Sequence, residues 1–245
     1  MKNFSILVQG PIHPNSILTA ILYEKYNTVI STWSADYEKE SELFRHICKY
    51  DSKIIAKPLP ETEDINNIAN RYFQFCSLYN GLSIIDTEYV IKLRSDEYYT
   101  NLSPIIEKVL INPNKLITND VFFRKSKTYK YHPSDHIIAG KTETLLKVFK
   151  QCKEECEKQL KIDIVPEQHY ASTFIEIMEQ ESIKKTDTYS LPSEEKLVTE
   201  LMQKYFDIVP SENLGMFCIS KHSEYFINNF KYFTKENDIK EMKEL

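Results

Sequence analysis

The chain has 245 residues, of which 42% are hydrophobic and 27% are charged, and it includes 16 tyrosines and 13 phenylalanines. This composition is typical of a folded globular protein, and the net charge of −5 argues against a general nucleic-acid-binding protein, which normally carries a basic excess. No apolar run approaches the roughly 20 residues that a bilayer-spanning helix needs, and the N-terminus does not resemble a signal peptide, so we expect a cytoplasmic protein without a transmembrane segment.

The first part of the sequence alternates short β-type runs with helical periodicity. Strands are predicted over 4–9, 28–33 and 53–56, and helices over 15–26, 40–50 and 64–81. This alternation predicts a mostly parallel sheet with helices on both faces. Asn15 or Ser16 is the expected cap of the first helix, and Gly81 the expected stop of the third. Gly10 follows the first strand, where glycine permits a positive φ or a close backbone approach.

Two nucleotide-binding classes are disfavoured, because the chain lacks both the Gly-x-Gly-x-x-Gly fingerprint and the Gly-Lys-Ser/Thr phosphate loop. The helix predicted over 64–81 nevertheless has an unusual polar stripe with few charges. Its members recur at i, i+3, i+4 and i+7 and are Asn67, Asn70, Arg71 and Gln74. This stripe is either a solvated face or the wall of a nucleotide pocket in which Arg71 contacts a phosphate.

A short buried strand is predicted over 89–93 and is followed at once by Arg94, Ser95, Asp96 and Glu97. Ligands of open α/β sheets collect at the carboxyl ends of the strands. Adjacent carboxylates at such a place suit a hard divalent cation such as Mn²⁺ or Mg²⁺. The alternative is an ordinary solvated turn after a strand.

The second part of the chain continues the mixed pattern without repeats or a low-complexity linker. Helices are predicted over 104–110, 142–160, from 166 onward and over 197–206, and strands over 116–123, 137–140 and 216–219. We expect one domain, with a nucleotide-binding half over 1–100, an acceptor-side half over 101–222 and a tail over 223–245.

Several segments resemble the WavE-type lipopolysaccharide-synthesis family when their order and spacing are taken together. These segments are 6–11, 29–33, 70–82 and 89–97 in the first half, with 134–140 and 166–168 in the second. Proteins of that family are regarded as glycosyltransferases with the GT-A fold. The resemblance implies a GT-A-like, Rossmann-type mixed sheet and a hexosyltransferase-like enzyme. Its donor would be a nucleotide-sugar, and its acceptor a lipopolysaccharide, another surface glycan or a lipid-linked saccharide.

The resemblance also implies a donor site at the ends of the first strands. Its nucleotide-sugar-binding residues would be Gln9, Gly10, Pro11, Ser31, Thr32, Trp33, Asn70, Arg71, Arg94 and Ser95. Asp96 and Glu97 would hold the divalent metal. The sequence departs from the Asp-x-Asp motif of GT-A enzymes, and Arg94 could supply part of the charge that neutralises the donor diphosphate.

Two carboxylates are candidates for the base that deprotonates the acceptor hydroxyl if configuration inverts. Glu167 opens a helix in the second half, and a helix N-terminus is expected to keep its pKa low. Asp135 lies in the loop 129–136 and could equally bind acceptor hydroxyls. Aromatic faces stack well on sugars, so Tyr129 and Tyr131 of this loop, with His136, are predicted to bind the acceptor.

Two other functions remain open from the sequence. A sugar nucleotidyltransferase shares a related sheet, but it normally carries a glycine-rich N-terminal loop, of which only Gly10 is present. A catalytically degenerate carbohydrate-binding module of the same fold would tolerate Asp96→Ala with sugar binding intact.

Overall fold

The computed structural model describes residues 3–39, 42, 45, 53–60, 67–127, 129–160, 163–182 and 190–218. Its strands are β1 Phe4–Gln9, β2 Asn27–Trp33, β3 Lys53–Lys57, β4 Tyr89–Arg94, β5 Glu97–Tyr99, β6 Leu116–Asn119, β7 Ile137–Lys141, β8 Phe206–Val209 and β9 Met216–Cys218. Its helices are α1 Pro14–Leu22, α2 Ser34–Lys39, α3 Asn67–Leu82, α4 Ser103–Ile111, α5 Thr142–Glu157, α6 Pro166–Ser182 and α7 Glu195–Tyr205. Most of the helix predicted over 40–50, the start of the helix predicted at 64 and the tail over 223–245 lie outside the described residues.

Seven of these strands form one sheet in the order β3-β2-β1-β4-β7-β6-β8. Only β7 among them runs antiparallel to its neighbours, and the remaining pairs are parallel. Strands β5 and β9 form a separate antiparallel pair. The predicted fold class, a mixed and mostly parallel sheet, is confirmed.

Helices cover both faces of the sheet, as the alternating pattern predicts. On one face, α3, α5, α6 and α7 bury an apolar layer that includes Phe75, Phe149 and Phe174. On the other face, α1 and α4 bury Ala20, Ile105 and other apolar side chains. Within the described part of the chain, no helix has both the length and the apolar character needed to cross a membrane.

The glycines explain two close approaches of the backbone. Gly10 has φ +130°, and a Cβ there would lie 2.6 Å from Ser95 Oγ, which confirms the constraint predicted from the sequence. Gly81 does not stop the third helix, which continues to Leu82. A Cβ on Gly81 would lie 2.4 Å from Leu7 Cδ1, so this glycine lets α3 pack closely on the sheet.

Several predicted boundaries are wrong for reasons that lie in distant contacts. The strand predicted over 116–123 ends at Asn119, because Asp120 turns away and accepts a hydrogen bond from the Ser211 amide at 2.9 Å. Strands β5 and β8 were not predicted, since each is short and pairs with a remote segment. The cap of α1 is His13, whose Nδ1 accepts from the Asn15 amide, rather than Asn15 or Ser16.

The topology brings several chain ends to one edge of the sheet. The parallel strands β1, β2 and β4 end there at Gln9, Trp33 and Arg94. Because β7 runs in the opposite direction, the residue that leads into it, Asp135, lies at the same edge.

Candidate active site

A cavity of about 650 Å³ lies at this edge, between the strand ends and α3. Its walls come from four strand ends or beginnings, the loop after β1 and one face of α3. The lining residues are Gln9, Gly10, Pro11, Ile12, His13, Trp33, Asn70, Phe73, Gln74, Arg94, Ser95, Asp96 and Asp135.

The cavity brings together nine of the 17 site residues predicted from the sequence. Seven of the predicted nucleotide-sugar-binding residues line it, and so do Asp96, a predicted metal ligand, and Asp135, a candidate base. The other predicted residues lie outside the lining and are Ser31, Thr32, Arg71, Glu97, Glu167, Tyr129, Tyr131 and His136.

Arg94 is the central cation of the cavity. Its Nε and one terminal nitrogen donate to the two carboxylate oxygens of Asp96 at 3.0 and 3.1 Å. Its other terminal nitrogen lies 3.8 Å from Asp135 Oδ2. Burial alone would raise the pKa of Asp96, but the hydrogen bonds and charge of Arg94 outweigh it and lower that pKa. Arg94 Nε also lies 3.5 Å from Glu97 Oε1. The guanidinium therefore faces three carboxyl groups, of which Asp96 and Asp135 line the cavity.

Asp135 is held by hydrogen bonds to both its side chain and its backbone. Gln74 Nε2 donates to Asp135 Oδ2 at 3.0 Å, and the buried ammonium of Lys92 donates to the Asp135 backbone carbonyl. Burial opposes ionisation, but the positive charges of Lys92, His136 and Arg94 hold the pKa of Asp135 far below its usual value. The carboxylate is thus ionised and well oriented at the cavity wall.

Glu97 is a correction to the predicted metal site. Its side chain is fully buried, where Tyr99 Oη donates to Oε2 at 2.8 Å and His136 Nδ1 lies 2.5 Å from Oε1. The same contact corrects His136, which is 3% exposed and lies outside the cavity lining. Because β5 begins at Glu97, its side chain turns inward while that of Asp96 reaches the cavity.

Arg71, Ser31 and Thr32 are corrections to the predicted donor site. Arg71 is 1% exposed and donates to the Ile164 carbonyl at 2.6 Å, in the segment just before α6. Ser31 Oγ donates to the Ser77 carbonyl at 2.6 Å and so ties β2 to α3. Thr32 is buried as well. These three residues are buried and do not line the cavity.

Tyr131 and Tyr129 do not form the predicted sugar-stacking pair. Tyr131 is 7% exposed, and its hydroxyl donates to the Pro192 carbonyl at 2.8 Å. Tyr129 is 44% exposed, but its ring contacts His132 and Arg124 outside the cavity. The loop is folded against the protein, so its aromatic faces are not presented side by side.

The pKa of Glu167 is shifted in the direction opposite to the one expected from the sequence. Burial and the negative charge of Asp135 raise its pKa to about 7, although the residue lies in the first turn of α6. The expectation that the helix N-terminus keeps this pKa low is therefore wrong. Glu167 lies outside the cavity lining, yet His136 and Lys92 act on the pKa values of both Asp135 and Glu167.

Sequence reasoning missed Ile12, His13 and Phe73 as cavity residues. Gln74 lines the cavity and belongs to the polar stripe of α3, for which the sequence offered the wall of a nucleotide pocket as one of two interpretations. Phe73 gave no such signal, because an aromatic residue on a helix is usually part of the core.

The ligand atoms of the site decide whether it can hold a divalent cation. Asp96 offers hard carboxylate oxygens at the cavity, although both are engaged by Arg94. Among the described residues, no group of three or more His, Cys, Asp or Glu side chains could hold a metal. The residues fit a cation shared between Asp96 and the phosphate oxygens of a ligand, not a cage made by protein alone.

One comparison with known protein families agrees with the family resemblance. A family described as WavE lipopolysaccharide synthesis matches residues 5–237. A comparison with curated proteins gave no match. Two structures of the glycosyltransferase GlyE from Streptococcus pneumoniae TIGR4, one in the apo form, match with 12% identity and TM-scores of 0.43 and 0.42. The chain aligns over 95% of its own length but spans only 50% of either GlyE chain.

A further solved structure is described as a glycosyltransferase involved in the glycosylation of the major capsid of PBCV-1. It matches with 11% identity and a TM-score of 0.44, over 92% of this chain and 98% of that one.

Proposed function

This chain belongs to the WavE lipopolysaccharide synthesis family, and from that premise we propose that it is a glycosyltransferase that moves a sugar from a nucleotide-sugar donor to a glycan acceptor. The acceptor class is a lipopolysaccharide or another surface glycan, free or lipid-linked, and the reaction takes place in the cytoplasm. One observation supports the donor site above others: Arg94 stands in a cavity at the strand ends, between Asp96 and Asp135. Such a group can recognise an anionic diphosphate.

The residues divide the work of sugar transfer between two regions of the cavity. As the bond between the sugar carbon and the diphosphate oxygen breaks, its electron pair leaves with the diphosphate, and Arg94 neutralises the growing charge. The acceptor hydroxyl forms the new bond to the sugar carbon. We assign its proton to Asp135 because this carboxylate lines the cavity, with Glu167 as the second candidate because its pKa lies near neutrality.

A divalent cation belongs to this proposal as an assisting group. The cavity lining carries one guanidinium against two carboxylates, so a bound diphosphate would add further negative charge that Arg94 alone does not balance. Mn²⁺ or Mg²⁺ held by Asp96 would supply that balance. Asp96 would have to divide its oxygens between the cation and Arg94.

Replacing Arg94 by glutamine should weaken the binding of a nucleoside diphosphate by about 10- to 100-fold. A charge-assisted, bidentate contact to phosphate is worth roughly 1.5–3 kcal/mol, and every 1.4 kcal/mol is about tenfold in affinity. The measurement is isothermal titration calorimetry with and without Mn²⁺, after a thermal-shift screen has identified the nucleotide. Arg124→Gln is the matched control, because Arg124 is exposed and lies outside the cavity.

Equal affinity in wild type and Arg94→Gln would contradict the assigned diphosphate site. If no nucleotide or nucleotide-sugar binds the wild-type protein, the degenerate carbohydrate-binding alternative becomes the better function.

A further inference from the structure

One end of the cavity is aromatic. Trp33, the last residue of β2, and Phe73 of α3 both line the wall and are partly exposed. Their ring centroids lie 6.1 Å apart with an interplanar angle of 71°. An edge-to-face contact covers at most one face of one ring, and both side chains remain partly exposed at the cavity wall. Neither ring is used in the transfer chemistry described above.

The features of the cavity follow a fixed order across the sheet. The aromatic pair lies at β2, Gly10 at the end of β1, Arg94 and Asp96 at β4, and Asp135 at β7. Gln9 is level with Arg94 on one side and with Ser31 on the other, and Trp33 lies two residues beyond Ser31. Since neighbouring strands are about 4.8 Å apart, the ends of β2 and β4 are separated by about 10 Å.

The middle of this line has no side chain above the backbone. Gly10 has φ +130°, and its amide donates to the Ser31 carbonyl at 3.1 Å. A Cβ at this position would collide with Ser95 Oγ at 2.6 Å. At Gly10, between the aromatic end and the charged end of the cavity, the wall therefore consists of backbone alone.

We infer that Trp33 and Phe73 form the subsite for the heteroaromatic base of the donor, an assignment that rests on the proposed function. The donor then lies across the strand ends, with its base on the aromatic pair, its ribose over Gly10 and its diphosphate at Arg94. Its sugar points toward Asp135. Asn70, an exposed amide one turn before Phe73 on α3, lines the same end and can hydrogen-bond the base edge.

The chemistry of the aromatic end favours a base over other donor groups. Each base stacked on an aromatic side chain typically changes affinity by about 5- to 150-fold, and every base has a flat π-face. A sugar linked to a lipid phosphate carries the anion and the sugar but has no flat ring for Trp33 and Phe73. The ordered features of this cavity match the three parts of a nucleotide-sugar.

Trp33 is the only tryptophan of the chain, so its fluorescence reports on this subsite directly. The purified full-length protein would be titrated with UDP, GDP, CDP, ADP and inorganic pyrophosphate, with affinities measured in parallel by calorimetry. We expect at least one nucleoside diphosphate to bind and to quench Trp33. Pyrophosphate, which occupies only the diphosphate position, should bind more weakly and leave the fluorescence nearly unchanged.

Variants separate the base contribution from the phosphate contribution. Phe73→Leu and Trp33→Leu should weaken nucleoside diphosphate binding about tenfold or more while leaving pyrophosphate affinity unchanged. Phe73→Tyr keeps the ring and should retain most of the affinity. Leu110→Ala removes an exposed apolar side chain on α4, outside the cavity, and should change neither ligand. Circular dichroism and thermal unfolding verify that each variant is folded.

The outcomes distinguish this inference from the proposed function. If a nucleoside diphosphate binds with an Arg94-dependent affinity but Phe73→Leu and Trp33→Leu bind it as wild type does, the base lies elsewhere and the inference is overturned while the proposed function stands. If none of the nucleotides binds and nucleotide-sugars also fail to bind, both are overturned. Equal loss of nucleotide and pyrophosphate affinity in folded Phe73→Leu would also overturn the subsite, because the effect would not be specific to the base.

Discussion

Lys92→Met is expected to destabilise the protein by about 1–3 kcal/mol at neutral pH, because it leaves the buried backbone carbonyl of Asp135 without its donor and removes a positive charge near the Asp135 carboxylate. Lys92 is 1% exposed in the middle of β4, level with Leu7 and Ile138 of the neighbouring strands. Methionine matches the length and volume of lysine but carries no charge. The variant therefore leaves the buried carboxylate of Asp135 without its principal counter-charge.

The electrostatics around Lys92 act in both directions, and burial of the ammonium limits the size of the loss. Burial lowers the pKa of Lys92, and the charge of Arg94 acts in the same direction, while Asp135, Glu97 and Asp96 oppose them. The ammonium also donates to the Asp135 backbone carbonyl, so the variant loses a hydrogen bond that fixes the loop before β7. Arg94, 3.8 Å from Asp135, can replace only part of this charge.

Chemical denaturation at several pH values measures the effect. Because the pKa of Asp135 is depressed in the folded state, its stabilisation is present above its unfolded pKa of about 4 and is lost as pH falls further. The difference between wild type and Lys92→Met should accordingly be largest at neutral pH and shrink in acid. The double variant Lys92→Met/Asp135→Asn should lose less stability than the sum of the single variants.

A surface pair provides the control. Lys108 Nζ lies 2.7 Å from Asp207 Oδ1, but the two side chains are 37% and 23% exposed. Lys108→Met should therefore cost no more than about 1 kcal/mol. A Lys92→Met protein as stable as Lys108→Met at neutral pH would show that the buried ammonium has no special role.

The donor half of the site was predictable because its residues follow from local patterns. Apolar β-type runs end sharply at Gln9, Trp33 and Arg94, and parallel strands bring their carboxyl ends to one edge. No tertiary information is needed to place these three residues together. The unusual φ of Gly10 was equally accessible, since glycine is rare in this chain.

Several predicted site residues lie outside the cavity because they contact segments that are distant in the sequence. Arg71 and Gln74 belong to one polar stripe, yet Arg71 reaches Ile164 while Gln74 reaches Asp135. Helical spacing predicts that both face one side of α3, but the packing of the segment before α6 decides which one is covered. Glu97 lies outside the cavity for a similar reason, because its strand β5 pairs with β9, more than a hundred residues later in the chain.

The state of Glu167 could not be predicted because its causes are not local. A helix N-terminus favours the ionised carboxylate, and that is all the sequence reveals. Burial and the charge of Asp135, from a loop well before α6, are stronger and reverse the direction. The pKa values of the two candidate bases thus become widely separated, a pattern that in enzymes often accompanies different roles in acid–base chemistry.

Asp135→Asn and Glu167→Gln are expected to separate those roles, with a loss of about 10²- to 10⁴-fold in the transfer rate for the residue that acts as base. If Asp135 is the base, as we propose, Asp135→Asn shows this loss and Glu167→Gln stays within about tenfold of wild type. Both variants should keep their affinity for the nucleoside diphosphate, because neither removes Arg94. The measurement is steady-state transfer from the donor identified by binding, with kcat and KM determined from pH 5 to pH 9.

The pH profile identifies the base independently of the size of the loss. A base with a pKa near 7 gives a rate that rises with pH through neutrality, whereas a base with the depressed pKa of Asp135 gives no inflection there. A neutral inflection in the wild type that disappears in Glu167→Gln, together with a large loss of rate, would transfer the role of base to Glu167. A flat wild-type profile would agree with Asp135.

The stability of Glu167→Gln provides a control that needs no substrate. The folded-state pKa of Glu167, about 7, lies above its ordinary value of 4.5. The folded state therefore holds this proton more tightly than the unfolded state does, and the stability contribution of Glu167 falls as pH rises from 4.5 to 7. Glutamine does not titrate, so Glu167→Gln should become progressively more stable relative to wild type over that interval. If this difference follows pH while the transfer rate does not, Glu167 is a buried acid beside the site and Asp135 remains the group that contacts the acceptor.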